Sequence, residues 1–260
     1  MPVVQADGCK LHVEIEGPAN APVLMLSNSL GTTHRMWDDQ LGPFTEKFRL
    51  VRYDRRGHGR SSVPKGPYNM EMLARDALAI MDDLGLKKVN WCGLSMGGME
   101  GMWLGANAAN RIDKLILSNC TAHYPDKGPW NDRIKFIREK GLAAITGPNM
   151  ERWFTKRFRE RAPDAVARMT EMFLSTPLDG YIACGEAVRD MDHRELLAKI
   201  SAPTLIIAGR QDMATTVEAA EFIKNRIPGA KLSVLDAAHI SNVEQPREYA
   251  DVVLRFLATH

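Results

Sequence analysis

Short apolar runs recur in both end regions of the chain and alternate with stretches of helical periodicity. Residues 10–16 alternate apolar and polar side chains, whereas residues 23–26 form a continuous apolar run typical of a strand buried on both faces. Further strands are predicted at residues 48–53, 89–92, 114–118, 204–207 and 231–235. Helices are predicted at residues 72–84, 96–109, 217–226 and 246–257. This alternation predicts an α/β fold with a mostly parallel, doubly wound sheet.

The interval between residues 119 and 200 interrupts this alternation. It contains no convincing strand pattern, and glycines and prolines divide it into four segments of helical periodicity. These segments are residues 131–139, 149–159, 165–173 and 180–189. We interpret the interval as a helical cap inserted between two strands, over the carboxyl edge of the sheet where open α/β folds bind ligands. The predicted division is a core of residues 1–120 and 200–260 with a cap of residues 121–199.

Composition restricts the class of protein without identifying it. The 260 residues are 45% hydrophobic and 25% charged, and the net charge of +2 gives no reason to expect nucleic acid as a partner. No apolar run reaches membrane-spanning length, and the first residues lack the pattern of a secretory signal. The four cysteines are scattered and have neither disulfide nor metal-site spacing. We therefore expect a cytoplasmic protein with reduced thiols, no metal, no organic cofactor and no membrane partner.

The most informative motif is Gly-Leu-Ser-Met-Gly at residues 93–97, which follows a predicted strand and opens a predicted helix. A serine on such a sharp strand-to-helix turn needs a positive φ angle, and the flanking glycines let neighbouring backbone approach. The helix that begins at Met96 directs unpaired N–H groups toward a developing negative charge. The alternative is a coincidental glycine–serine turn. We predict instead that Ser95 is a catalytic nucleophile.

A serine nucleophile needs a histidine base, which follows it in this architecture. Four histidines follow Ser95 in the sequence: His123, His193, His239 and His260. His239 follows the last predicted strand after a loop of three residues, whereas the others lie in the cap interval or at the terminus. His239 is therefore the predicted base, and its alternative role is a structural loop histidine.

The acid that orients the base is predicted to be Asp212, which lies just beyond the strand at residues 204–207. Asp236 is nearer to His239 in sequence, but we interpret it as a turn residue. Asp190 and Asp192 belong to the cap interval. The alternative role for Asp212 is the N-cap of the helix that begins near residue 217.

Several strings in this sequence resemble known enzymes. Asp-Arg-Arg-Gly-His-Gly at residues 54–59, the serine motif and the turns at Asp212 and His239 resemble the α/β-hydrolase superfamily over nearly the whole chain. Asn-Ser-Leu-Gly-Thr at residues 28–32 and Ala-His-Ile-Ser-Asn at residues 238–242 are similar to strings of the 3-oxoadipate enol-lactonases. This resemblance implies hydrolysis of an enol-lactone to 3-oxoadipate in the bacterial breakdown of catechol or protocatechuate.

The same resemblance assigns the oxyanion hole to two backbone amides. Hydrolases of this architecture usually carry His-Gly after the first buried strand, and Asn28-Ser29 occupies that place here. Leu30 and Met96 would then supply the N–H donors. The alternative is a plain polar turn. The turn at residues 54–61 could bind an anion, but we interpret Asp54, Arg56 and His58 as scaffold whose hydrogen bonds stay within the turn.

The cap interval is rich in positive charge. Residues 133–168 include ten basic and four acidic residues, an excess that would attract an anionic substrate. Trp130 and Arg133 share a helical face, and arginine suits a carboxylate through bidentate geometry. We therefore nominate Trp130, Arg133 and Trp153 as substrate-binding residues and a small anionic lactone as substrate. The alternative is that these charges only form a solvated cap surface.

Three other functions remain open from the sequence. A general carboxylesterase or a cofactor-free perhydrolase would use the same serine, histidine and aspartate. A non-catalytic binding protein on this fold would be expected to lack one of them, whereas all three are present. Exposed apolar cap surface is also compatible with a homo-oligomer.

Overall fold

The computed structural model of the protein describes residues 3–259. Within this range one sheet contains eight strands: β1 (Val3–Ala6), β2 (Cys9–Glu16), β3 (Val23–Ser27), β4 (Arg49–Tyr53), β5 (Val89–Leu94), β6 (Ile112–Ser118), β7 (Thr204–Gly209) and β8 (Lys231–Leu235). Their spatial order is β1-β2-β4-β3-β5-β6-β7-β8. The pairs β1–β2 and β2–β4 are antiparallel, and all later pairs are parallel. The predicted α/β fold with a mostly parallel sheet is confirmed.

Helices surround the sheet and fill the interval between β6 and β7. The helices of the core are α1 (Leu41–Thr45), α2 (Met70–Asp83), α3 (Met96–Asn107), α9 (Val217–Lys224), α10 (Ser241–Glu244) and α11 (Pro246–Leu257). The helices between β6 and β7 are α4 (Gly128–Lys140), α5 (Thr146–Trp153), α6 (Lys156–Arg161), α7 (Pro163–Leu174) and α8 (Leu178–Asp190). Short 3-10 turns cover His34–Gln40, Ala109–Arg111, Leu142–Ile145 and Arg194–Lys199. The exact boundaries of the cap, at residues 121 and 199, stay a prediction.

Two of the parallel strands are buried along their whole length. Every residue of β5 and β7 is buried, as expected of parallel strands covered by helices on both faces. The register sets Ser27 of β3 beside Gly93 of β5, and Leu94 of β5 beside Ser118 of β6. The loops that follow these three strands therefore meet at one edge of the sheet, which is where the predicted site lies.

Three local features differ from the sequence prediction. Strand β1 was missed, although Asp7-Gly8 forms a two-residue hairpin loop with Gly8 at φ 67°. The helix predicted over residues 149–159 is two helices, because Thr155 ends the run as the N-cap of α6 and accepts a hydrogen bond from the Phe158 N–H. The short helices α1 and α10 were also missed.

The cap packs directly on loops of the core. Gly180 of α8 lies so close to Gly57 that a Cβ atom on either would collide with the other's backbone. A Cβ atom on Gly31 would lie 2.8 Å from the Phe173 ring of α7.

Among residues 3–259, no helix is both long and apolar enough to cross a membrane.

Candidate active site

Ser95 lies on the sharp turn between β5 and α3. Its backbone has φ 56° and ψ −115°, a combination that is strained for a residue with a side chain. A Cβ atom on Gly93 would lie 2.7 Å from the Gly98 nitrogen, and one on Gly97 would lie 2.6 Å from the Ser27 carbonyl carbon. The two glycines are therefore required by the packing of the turn, as the sequence predicted.

The structure brings the three predicted side chains into one hydrogen-bonded chain. The Nε2 atom of His239 lies 2.9 Å from the Ser95 Oγ atom. The Nδ1 atom of the same ring lies 2.8 Å from the Asp212 Oδ2 atom. Since the carboxylate accepts from Nδ1–H, Nε2 is left as the acceptor for the serine proton. This arrangement can activate a hydroxyl nucleophile.

Asp212 is almost fully enclosed by hydrogen-bond donors. Its Oδ1 atom accepts from the backbone N–H groups of Ala214 and Thr215, at 2.8 and 3.0 Å. Its Oδ2 atom also accepts from the Thr215 hydroxyl at 2.6 Å and from the Asn119 amide at 3.0 Å. Burial alone would raise the pKa of Asp212, but the charge and hydrogen bond of His239, with these donors, lower it to about 2. The carboxylate is therefore ionised at neutral pH.

Asn119 is a part of this site that the sequence did not indicate. It follows β6 with φ 45°, a left-handed conformation that asparagine tolerates better than most residues. Its amide donates both to Asp212 and to the Ala238 carbonyl, and its Oδ1 atom accepts from the Ser241 hydroxyl. Asn119 thus joins the loop of the acid to the loop of His239.

The competing candidates lie elsewhere or have other partners. His123 and His193 make no hydrogen bond with Ser95; His123 pairs with Asp192 in a β-bridge, and burial lowers the pKa of His193 to about 4. Asp236 is exposed and accepts from Gln211. The N-cap of α9 is Thr216 rather than Asp212. His260 lies outside the described residues.

The loop after β3 is fixed to the serine turn. The Asn28 carbonyl accepts from the Gly97 N–H at 3.1 Å and from the Arg55 guanidinium at 2.7 Å. Leu30 lines the same cavity as Ser95 and His239. Met96 is the first residue of α3, and its side chain is fully buried in the core. Because the first N–H groups of a helix lack intrahelical partners, the predicted Met96 donor is compatible with this position.

The glycine-rich turn after β4 makes contacts beyond itself, contrary to the expectation that its hydrogen bonds stay within the turn. Arg56 pairs with Asp76 of α2 at 2.6 Å, and the Asp54 carboxylate accepts from the His34 N–H and ring. The His58 Nε2 atom accepts from the Gly31 N–H at 3.0 Å. Burial and the charge of Arg55 lower the pKa of His58 to about 3, so its ring is neutral.

A cavity at the carboxyl edge of the sheet contains Ser95 and His239. All three nominated residues, Trp130, Arg133 and Trp153, line it. The other lining residues are Ser29, Leu30, Tyr124, Asn149, Arg152, Tyr181, Val188 and Ala214. Arg152 is one of the ten basic residues of residues 133–168, but its place in the cavity was not predicted, nor were those of Asn149 and Tyr181. These three residues lie on α5 or α8, and the sequence contains no local pattern that shows which side chains of these helices face the cavity.

The cavity is positively charged. Arg133 donates to the Tyr181 hydroxyl at 2.7 Å and to the Asn149 Oδ1 atom at 2.7 Å, both neutral acceptors. Within residues 3–259, neither Arg133 nor Arg152 forms a salt bridge, and no aspartate or glutamate lines the cavity. Two guanidinium groups without an ion-pair partner among the described residues thus line the cavity that contains Ser95.

One group of side chains has metal-ligand geometry in the described chain, namely His12, His34 and Asp54. Each already has a partner: His12 lies 2.9 Å from Glu14, and His34 lies 2.8 Å from Asp54. None of the three lines the cavity with Ser95. This group of side chains is therefore not part of the candidate active site.

Comparison with known proteins places this geometry in a family. The chain matches the α/β hydrolase fold family over residues 22–246. It is 40% identical over 248 residues to 3-oxoadipate enol-lactonase 2 of Acinetobacter baylyi, covering 95% of this chain and 93% of that protein. It is 37% identical over 255 residues to 3-oxoadipate enol-lactonase 1 of the same organism, covering 98% of this chain and 96% of that protein.

A solved structure gives the same result. The enol-lactonase from Burkholderia xenovorans LB400 has a TM-score of 0.97 with this chain at 39% identity, covering 99% of this chain and 100% of that one. The resemblance to enol-lactonases is therefore confirmed along nearly the full length, and the chain is a hydrolase enzyme. On these grounds the chain belongs to the α/β hydrolase fold family.

Proposed function

We propose that this hydrolase opens 3-oxoadipate enol-lactone to 3-oxoadipate through an acyl-enzyme on Ser95. The observation that carries the proposal is the hydrogen-bonded chain of Ser95, His239 and Asp212 in a cavity whose arginines lack acidic partners. A lactone with one free carboxylate matches both features, an ester carbonyl for the serine and an anion for the arginines. The likeness to two 3-oxoadipate enol-lactonases supports the same substrate, and the likeness to a solved enol-lactonase supports the opening of a lactone.

The first half of the reaction transfers the acyl group to the enzyme. As the Ser95 Oγ atom attacks the lactone carbonyl, Nε2 of His239 takes its proton, and Asp212 stabilises the resulting imidazolium. The Leu30 and Met96 N–H groups hold the oxyanion, and each such donor is typically worth about 3 kcal/mol. Collapse of the tetrahedral intermediate breaks the ring C–O bond. The enolate that leaves takes the proton from His239 and becomes a ketone, still attached to the acyl chain.

The second half returns the enzyme to its starting state. His239 takes a proton from a water molecule, and the hydroxide attacks the acyl carbonyl in the same oxyanion hole. The ester bond to Ser95 breaks, and His239 gives its proton to the serine oxygen. The sum is one water consumed and one carboxylic acid formed, without an external oxidant or cofactor.

We further propose that Arg133 binds the substrate carboxylate, while Trp130 and Trp153 form apolar walls around the ring. Arg133 keeps guanidinium N–H groups beyond those bonded to Tyr181 and Asn149. Replacement of Arg133 by alanine should raise KM for the anionic lactone. Arg138→Ala is the matched control, because Arg138 lies on the same helix but is exposed and paired with Glu186. Equal kinetics for the two variants would remove the assignment.

Two finer proposals concern the setting of the enzyme. We place it in bacterial catechol or protocatechuate breakdown, as the substrate implies. We also place it in the cytoplasm, since Cys9, Cys92, Cys120 and Cys184 are all free and buried, as a reducing compartment allows.

The test compares substrates on the unmodified enzyme. We expect kcat/KM for the anionic enol-lactone to exceed that for a neutral p-nitrophenyl ester by at least about 100-fold, because only the lactone carboxylate uses the cavity charge. A preference for the neutral ester would favour a general carboxylesterase. Rapid peracid formation with acetate and hydrogen peroxide, exceeding lactone turnover, would favour a perhydrolase. Either result would contradict the proposed substrate.

A further inference from the structure

Asn149 is a buried polar side chain in the cavity whose hydrogen bonding is only half complete. It lies on α5 and is 4% exposed. Its Oδ1 atom accepts from the Arg133 guanidinium at 2.7 Å. Its Nδ2 atom is fully buried and has no hydrogen-bond partner among the described residues. Buried side-chain donors are normally paired, so this one indicates a missing acceptor.

The orientation of the Asn149 amide is fixed by its neighbour. A guanidinium group carries only donors, so the side of the amide that faces Arg133 must be the oxygen. The NH2 group is therefore on the other side of the amide. Because Asn149 lines the same cavity as Ser95 and His239, a ligand bound there can supply the acceptor.

The charges around Asn149 indicate what kind of acceptor fits. Arg133 and Arg152 line the same cavity, and no acidic residue among the described lining residues balances them. Arg152 lies three residues after Asn149 on α5, a spacing that sets two side chains on one helical face. An acceptor that meets an amide donor and two cations is most strongly bound when it carries a negative charge.

We propose that the Asn149 Nδ2 group donates a hydrogen bond to the carboxylate of the substrate and thereby selects anionic lactones over neutral esters. This inference rests on the proposed function, since it assumes that the substrate carries a carboxylate. Arg133 then has two roles, as a cation facing the carboxylate and as a positioning residue that holds the amide with its NH2 group available.

The test uses two substitutions at this position. Asn149→Ala removes the donor, and we expect KM for the enol-lactone to rise about 10- to 100-fold with kcat within about twofold. Asn149→Asp keeps the size but adds a negative charge beside Arg133, so kcat/KM should fall further than in the alanine variant. The loss in kcat/KM for hydrolysis of neutral p-nitrophenyl acetate should be at least about tenfold smaller than the loss for the lactone in both variants, because the neutral ester has no carboxylate for the amide to bind. Inhibition of that reaction by 3-oxoadipate should weaken in parallel with the KM change.

Asn131→Ala is the matched control, because Asn131 is an exposed cap asparagine outside the cavity. Circular dichroism and the melting temperature establish that each variant is folded. An unchanged KM for the lactone in a folded Asn149→Ala variant would overturn the inference alone. A fall in kcat without a change in KM would also overturn it, since the amide would then contact the reacting carbonyl. Absence of lactone turnover by the unmodified enzyme would instead overturn the proposed function, and the inference with it.

Discussion

The Gly31 N–H donates a 3.0 Å hydrogen bond to the Nε2 atom of His58, a residue 27 positions later in the chain. Gly31 follows Leu30, the predicted oxyanion donor. Its left-handed φ of 76° favours glycine, and a Cβ atom at this position would also collide with the Phe173 ring. The bond requires an unprotonated Nε2, which the low pKa of His58 provides. The turn after β4 thus holds the oxyanion loop through a neutral histidine.

The lowered pKa of His58 predicts a pH dependence of stability. Below its ordinary pKa of 6.5 the unfolded chain binds a proton that the folded chain does not bind until about pH 3. The free energy of unfolding should therefore fall as the pH drops through this window, by up to about 1.4 kcal/mol per pH unit for this one group. Urea unfolding at pH 7, 6, 5 and 4 should show a steeper dependence in the wild type than in His58→Gln. Parallel curves would contradict the assignment.

The packing of the serine turn predicts a large difference between two Gly→Ala substitutions. In Gly97→Ala the new Cβ atom would press on the Ser27 backbone, so we expect a loss of about 1–3 kcal/mol or more in the free energy of unfolding. Gly185→Ala is the control, because Gly185 lies inside α8 and the new Cβ atom would meet the Trp130 and Ile134 side chains at ordinary contact distances of 3.5 and 3.9 Å. It should be neutral or stabilise by up to about 1 kcal/mol. Melting temperatures that move together would be incompatible with this packing.

Asp212→Asn should reduce kcat by about 10⁴-fold in a folded protein, because an amide no longer holds His239 in the tautomer that accepts the serine proton. The measurement is steady-state kinetics on the lactone, together with the melting temperature. Asp236→Asn is the matched control, since Asp236 is near His239 in sequence but exposed. A loss of less than about tenfold for Asp212→Asn, or an equal loss for both, would refute the choice of acid.

A buried ion pair beneath the site predicts an asymmetry in stability. Glu100 is fully buried, and its Oε1 atom lies 3.0 Å from the buried guanidinium of Arg55, which also donates to the Asn28 carbonyl. Glu100→Gln would leave that cation unpaired and should cost about 3–5 kcal/mol. Glu71→Gln breaks an exposed pair with Arg75 on α2 and should cost less than about 1 kcal/mol. Chemical denaturation measures both, and a similar small cost for each would contradict this account.

Much of the candidate site could be predicted because its residues follow strands in a fixed order. Ser95 is marked by glycines whose backbone contacts are local, and His239 and Asp212 each follow an apolar run that ends at the same edge of the sheet. Arg133 was accessible for a related reason, since helical spacing alone puts it near Trp130. In each case a short stretch of sequence determines the position.

The rest depends on contacts between distant segments. The position of Asn149 in the cavity could not be predicted, because it depends on how α5 packs against the helix that carries Arg133. The bounds of α5 also differ from the predicted helix over residues 149–159, since α5 ends at Trp153. Asn119 was missed because its function lies in joining two loops more than 90 positions away. The hairpin of β1 is different, since its Asp7-Gly8 turn is a strong local signal that needs no distant contact.

The most direct test of the central claim is lactone turnover by Ser95→Ala compared with the wild type. The claim is that the Ser95 hydroxyl, activated by His239, attacks the lactone carbonyl. The substitution removes one oxygen from a site that His239 and Asp212 otherwise keep, so the variant should fold with an unchanged melting temperature. We predict a fall in kcat of about 10⁵- to 10⁶-fold. A folded variant that retains more than about 1% of wild-type turnover would contradict the claim.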